Sequence, residues 1–114
     1  MRKNVLLVED DQDLAVVVGS VLEGQGYWVN IVGSVKEFRI YTKKRVPDLV
    51  IMDVKLPDGR GDKLVRELKL GKGDGVKVIL VSGTENLKRI ADRVGADGWL
   101  SKPFKITELL DLIN

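Results

Sequence analysis

The sequence predicts an α/β protein with a doubly wound parallel sheet, on three observations. Five short apolar runs alternate strictly with five stretches of helical period. Two of the runs, Val5-Leu6-Leu7-Val8 and Leu49-Val50-Ile51-Met52, are apolar throughout, the pattern of strands covered on both faces. Polar residues come directly after the runs, with Glu9 and Asp10 after the first and Asp53 after the third, at the carboxyl ends where open α/β sheets bind ligands.

In chain order, the first strand spans residues 5–8. Leu14, Val17, Val18, Val21 and Leu22 stripe a first helix, which Gly24 and Gly26 stop, with Asp11 as its N-terminal cap. Residues 27–32 alternate only partly and carry Asn30, so this strand belongs at an edge. Ser34 and Glu37 form a capping-box pattern for a helix over 35–44, and Lys43-Lys44-Arg45 complement its carboxyl end. The strand 49–52 leads through a loop at Pro57-Asp58-Gly59-Arg60-Gly61, whose glycines permit the turn, to a helix marked by Leu64, Val65 and Leu68 and ended near Gly71 and Gly73. A strand over 76–81 ends in Ser82. Leu87, Ile90, Ala91 and Val94 mark a fourth helix with Gly95 beyond its end. Residues 99–101 form the last strand, and Ile106, Leu109, Leu110 and Ile113 stripe the final helix.

The 114 residues suit one domain, 1–114, with no output domain among them. The chain has no Cys and no His, which excludes disulfides, thiolate and imidazole metal sites, serine–histidine triads and a histidine phosphocarrier. Lys and Arg total 19 against 17 acidic residues, a net charge of +2 without a basic face, so direct nucleic-acid binding is not expected. No apolar run is long enough to span a membrane and no signal peptide opens the chain, which makes a cytoplasmic protein the expectation.

The strand-end residues Glu9, Asp10, Asp53, Ser82 and Lys102 have a chemistry in common. Two doubly wound strand orders are usual, and the flavodoxin-like one sets the first and third strands side by side, bringing Glu9 and Asp10 to Asp53. Two carboxylates about 4 Å apart repel by about 4 kcal/mol at an effective dielectric near 20, a cost that a bound cation removes. Oxygen donors alone select a hard ion, Mg²⁺, for which Mn²⁺ should substitute. A lysine and a hydroxyl can hold phosphate oxygens, and a carboxylate can act as nucleophile to become an aspartyl phosphate.

Val5-Leu6-Leu7-Val8-Glu9-Asp10-Asp11, Met52-Asp53-Val54-Lys55-Leu56-Pro57, Val81-Ser82-Gly83 and Leu100-Ser101-Lys102-Pro103-Phe104 together resemble the receiver domain of bacterial two-component response regulators, in order and over the whole chain. The resemblance implies a five-stranded sheet of order 2-1-3-4-5. It implies Asp53 as the phosphoacceptor, served by a sensor histidine kinase or a histidine phosphotransfer protein. Asp10 and Asp53 would ligate Mg²⁺ directly, Glu9 through water, and Lys55 through its backbone carbonyl. Ser82 and Lys102 would hold the phosphoryl group, the Lys102–Pro103 bond often being cis in the family. Trp99 stands at the switch aromatic, with plain rim packing as the alternative. Lys55 and Thr84 occupy positions that tune dephosphorylation.

The implied output is a changed surface around the fourth helix, fifth strand and fifth helix, read by a downstream protein or a covalently linked effector. Such a domain catalyses only its own phosphorylation and dephosphorylation. The segment from Ser82 to Gly95 is about two residues shorter than in most receivers. Two other readings compete: a phosphate-independent interaction module of the same fold, and a small haloacid dehalogenase-like phosphatase using Asp11-Gln12-Asp13.

Overall fold

A computed structural model describes residues 2–71 and 75–114. Five strands form one parallel sheet: β1 (Asn4–Val8), β2 (Trp28–Val32), β3 (Leu49–Met52), β4 (Lys77–Ser82) and β5 (Gly98–Ser101), in the order β2-β1-β3-β4-β5. This is the expected 2-1-3-4-5 order. Helices α1 (Gln12–Gly24), α2 (Val35–Lys44), α3 (Gly61–Leu70), α4 (Leu87–Val94) and α5 (Ile106–Ile113) come after the strands in turn.

Strand periodicity distributes the core. Leu6, Val8, Val50, Met52, Val78 and Leu80 point into one apolar layer with Phe38, Leu64, Val65, Leu87 and Ile90, beneath α2, α3 and α4. Val5, Leu7, Leu49, Ile51, Ile79 and Val81 point into the other, with Ala15, Val18, Leu22 and Leu109 under α1 and α5. All four residues of β3 are buried, as the unbroken apolar run requires. Each such side chain contributes about 1.5–3 kcal/mol of burial energy.

Register delivers the strand ends to one place. Val8 pairs with Met52, so Glu9 and Asp53 leave the sheet together, and the Asp53 N–H donates to the Val8 carbonyl at 3.0 Å. Met52 pairs with Leu80, and β4 runs two residues further to Ser82.

Several boundaries differ from the sequence reading. Tyr27 precedes β2: its N–H donates to the Leu22 carbonyl and its hydroxyl bonds Asn114 at 2.8 Å, which holds it in the turn. α1 runs through Gly24, and the chain turns instead at Gly26, whose φ is +95°. β4 starts at Lys77 rather than Val76 and includes Ser82. The loop after β3 is partly a hairpin, with Lys55–Leu56 antiparallel to Gly59–Arg60, and α3 begins at once at Gly61.

The helix ends obey local chemistry. Asp11 caps α1 by accepting from the Leu14 N–H at 3.1 Å. Ser34 caps α2 by accepting from the Glu37 N–H, while the Glu37 carboxylate reaches one residue further back than a regular capping box, to the Gly33 N–H. Gly71 lies just past α3, and the second glycine expected there, Gly73, lies outside the described residues. Gly95 ends α4 with a φ of +80°. No helix among the described residues is long and apolar enough to cross a membrane.

Candidate functional site

Asp53 stands just past β3 at the centre of the sheet and is 8% exposed; Glu9 stands just past β1 and is 6% exposed. Between them stands Lys102, carried from the far side of the sheet by β5. Its Nζ donates to Glu9 Oε1 at 2.5 Å and to Asp53 Oδ2 at 2.9 Å. The Lys102 N–H donates to the Ser82 carbonyl, so the same turn that aims the ammonium also ties it to the end of β4. The Lys102–Pro103 peptide bond is cis.

Backbone amides hold the other carboxylate oxygens. Glu9 Oε2 accepts from the Asp11 N–H at 3.1 Å, and Asp53 Oδ1 accepts from the Lys55 N–H at 3.3 Å. Asp10 is exposed beside them. One carboxylate oxygen from each of Glu9, Asp10 and Asp53 lies within 4.8 Å of the others. Leu14, Ala15, Val18, Val81 and Phe104 close the space beneath Glu9 and Asp53 with apolar atoms.

The charges respond to this arrangement. Burial pushes the Glu9 carboxyl above its ordinary value, an effect only partly offset by the hydrogen bonds from Lys102 and Asp11. Burial by itself would lower Lys102, but its bonds to Glu9 and Asp53 outweigh that and hold the ammonium above its usual pKa. One cation thus balances two inward-facing carboxylates, and the third, Asp10, adds further negative charge at the mouth. Three carboxylates in one spot, in a chain without His or Cys, form a donor set of the hard, all-oxygen kind that suits Mg²⁺ and Mn²⁺.

Ser82 is 2% exposed, and its Oγ lies 2.8 Å from Thr84 Oγ1 and accepts from the Thr84 N–H at 3.3 Å. It caps no helix: α4 starts at Leu87 after Asn86, whose φ is +60°. Ser82-Gly83-Thr84-Glu85 has the spacing of a capping box but does not act as one, because the chain needs four further residues to cross from the strand end to the helix. Asp11 and Asp13 lie outside the carboxylate cluster, Asp11 as the α1 cap and Asp13 in its exposed first turn, which takes the phosphatase-like Asp-x-Asp motif away from the site. Trp99 pairs with Leu80 on the edge strand and is 39% exposed. The Lys55 side chain is exposed, within the hairpin.

The sequence reading missed two residues that shape this site. Gly61 does more than permit a turn: a Cβ there would sit 1.9 Å from the Asp53 carbonyl oxygen and 2.8 Å from Met52 Cγ, so only glycine lets α3 start against the end of β3. Asp58, at the hairpin tip, accepts from the Val35 and Lys36 N–H groups at 2.7 and 3.0 Å. An acid next to Gly in a loop is a common turn signal, and nothing local reveals its partner 23 residues away.

Comparison with known proteins agrees with this geometry. Residues 5–114 match the model of the response regulator receiver domain. The KDP operon transcriptional regulatory protein KdpE of Escherichia coli is 39% identical over 93% of the chain, which spans 47% of that protein. The chain thus covers about half the length of this relative. A CheY-like response regulator receiver domain protein from Methanospirillum hungatei superposes with a TM-score of 0.91 at 30% identity, covering 99% of this chain and 91% of that one. The receiver domain of a sensor histidine kinase from Pseudomonas aeruginosa, with a magnesium ion coordinated in its active-site cleft, superposes with a TM-score of 0.87 at 26% identity, covering 99% and 95%. A family match from Val5 to the last residue, on a sheet of the same order, makes this chain a response regulator receiver domain.

Proposed function

We propose that Asp53 accepts a phosphoryl group from a phosphohistidine on a sensor histidine kinase or histidine phosphotransfer protein in the cytoplasm. The observation that carries this is the Lys102 bridge: a nine-tenths-buried Asp53 held by an ammonium, with the oxygens of Glu9 and Asp10 within 4.8 Å. A carboxylate oxygen of Asp53 attacks phosphorus, the donor's P–N bond breaks, and its electron pair returns to the imidazole nitrogen, which takes a proton. The product is an acyl phosphate on Asp53 and a neutral histidine on the partner. Lys102 passes from carboxylate to phosphoryl oxygen, keeping its charge beside the negative charge transferred.

A magnesium ion held by Asp10, Asp53 and the Lys55 carbonyl, with Glu9 acting through water, would neutralise charge on the transferred oxygens, and Mn²⁺ should substitute. The magnesium-bearing Pseudomonas receiver supports this assignment by analogy. Ser82 exchanges its bond with Thr84 for one to the phosphoryl group. That exchange favours a second arrangement of the segment between β4 and α4 and of the surface formed by α4, β5 and α5, Trp99 included. A downstream protein or a linked effector reads the altered surface. Lys55 and Thr84 flank the acyl phosphate and set how fast water removes it.

Intact mass after incubation with Mg²⁺ and acetyl phosphate tests the reading. One added phosphoryl group, absent without Mg²⁺ and absent in Asp53→Asn, is the expected result. No uptake, together with no binding of beryllofluoride, would instead leave an interaction module that works without phosphate.

A further inference from the structure

The amino end of α2 has a division of labour that points beyond the phosphoacceptor itself. Its Glu37 N–H goes to Ser34 Oγ and its Phe38 N–H to the Ser34 carbonyl, which leaves the first two helical amides without a local acceptor. Asp58 takes both, one with each carboxylate oxygen, from the tip of the hairpin just beyond Asp53. The hairpin also packs there: a Cβ on Gly59 would meet Val35 Cγ2 at 3.0 Å. Asp58 is fully exposed, so no burial holds it in place, and its pKa is lowered by the two backbone amides.

Resting on the metal assignment above, we propose that Asp58 is a positioning residue for the cation site. By pinning the hairpin tip to α2 it fixes the backbone of Lys55, whose N–H is on Asp53 Oδ1 and whose carbonyl, in the next peptide unit, is the proposed metal ligand. The other ties of the segment, the pairing of Lys55 with Arg60 and of Leu56 with Gly59 and the Gly61 N–H on the Val54 carbonyl at 2.7 Å, hold the hairpin to itself, whereas the Asp58 bonds join it to α2. Asp58 touches neither the ion nor the phosphoryl group. It acts through the peptide that does.

Calorimetric titration with Mg²⁺ tests this, on the parent, Asp58→Ala and Val35→Pro. Proline suits the first helical position and the extended Ser34 before it (ψ 165°), and it deletes one donor while leaving Asp58 intact. The expected result is a Mg²⁺ dissociation constant raised about tenfold in Asp58→Ala and about threefold in Val35→Pro. The double variant should be weaker than Asp58→Ala by less than the Val35→Pro effect alone, since both variants act on the Asp58 bonds and only Val35→Pro also changes the packing on Gly59. The rate of phosphoryl uptake at saturating Mg²⁺ should stay at the parent's value. Should Asp58→Ala not fold, Asp58→Asn, which keeps one acceptor oxygen but loses the charge, is expected to bind Mg²⁺ more weakly than Val35→Pro. Variants that lose thermal stability but bind Mg²⁺ like the parent would overturn the proposal and leave Asp58 a helix cap. A parent that binds no Mg²⁺ would overturn the metal assignment and this proposal together.

Discussion

The two segments that leave the centre of the sheet at the site end are built in opposite ways. The one after β3, from Asp53 to Gly61, is tied at every step: a hairpin, the Gly61 N–H on the Val54 carbonyl, Asp58 on α2, and Arg60 Nε on Asp62 Oδ1 at 3.0 Å. The one after β4, from Gly83 to Asn86, has the Ser82–Thr84 contact and little else. It enters α4 through a left-handed Asn86 with no side-chain cap on the helix. The first segment is a template that sets atoms in place. The second has few bonds to break, which is what the proposed exchange of partner at Ser82 would need.

Glycine substitutions break this contrast most sharply. Gly61→Ala puts a methyl group onto the Asp53 carbonyl and should cost about 3 kcal/mol, read as a lower urea midpoint, with phosphoryl uptake falling as Asp53 shifts. Next comes the bridge between the two sides. Lys102→Met should cost about 2 kcal/mol at neutral pH by leaving Glu9 and Asp53 without their shared donor.

The shifts also set a pH dependence. Lys102 is raised, so its contribution is full below 10.5 and is lost as pH rises through its still higher folded value. Glu9 is also raised, so its charged form costs stability at neutral pH, and the native state gains as pH falls through the raised value toward 4.5. Removing Lys102 raises Glu9 further. The thermal deficit of Lys102→Met should therefore shrink between neutral pH and about pH 5.

Smaller effects probe the looser side and the hairpin tip. Asn86→Ala should cost about 1 kcal/mol, since asparagine adopts a left-handed backbone more readily than alanine does. Asp58 is lowered by the Val35 and Lys36 amides, so its contribution is present above 3.8 and disappears as pH falls through its lower folded value. The melting temperatures of parent and Asp58→Asn should accordingly differ at neutral pH and converge in acid. Smallest of all is Gly83→Ala, whose Cβ would meet nothing within 4 Å; its unfolding free energy should stay within about 0.5 kcal/mol of the parent's.

How far the sequence carries depends on how local the cause is. The five strands, the Asp11 and Ser34 caps and the Gly95 stop were legible because each depends on neighbours within a few residues. The site residues were legible for a different reason. Strand ends gather at one edge of a doubly wound sheet, so the polar residues at the ends of the apolar runs, Glu9, Asp53, Ser82 and Lys102, are neighbours in space. The pairing of Lys102 with Glu9, 93 residues apart, was not legible, nor was Asp58 on α2, because no period or turn signal encodes a partner across the fold. Gly61 was misread for the same cause. Its neighbour is the backbone of Asp53, reached through a hairpin that the loop residues did not announce.

The burial of β3 has one more consequence. Every residue from Leu49 to Met52 is enclosed, and the Asp53 amide is locked onto Val8. Hydrogen exchange at Asp53 should therefore proceed only through global unfolding, while the amides of 83–86 exchange through local opening. The domain can loosen one wall of its site many times over without ever unseating the floor on which Asp53 stands.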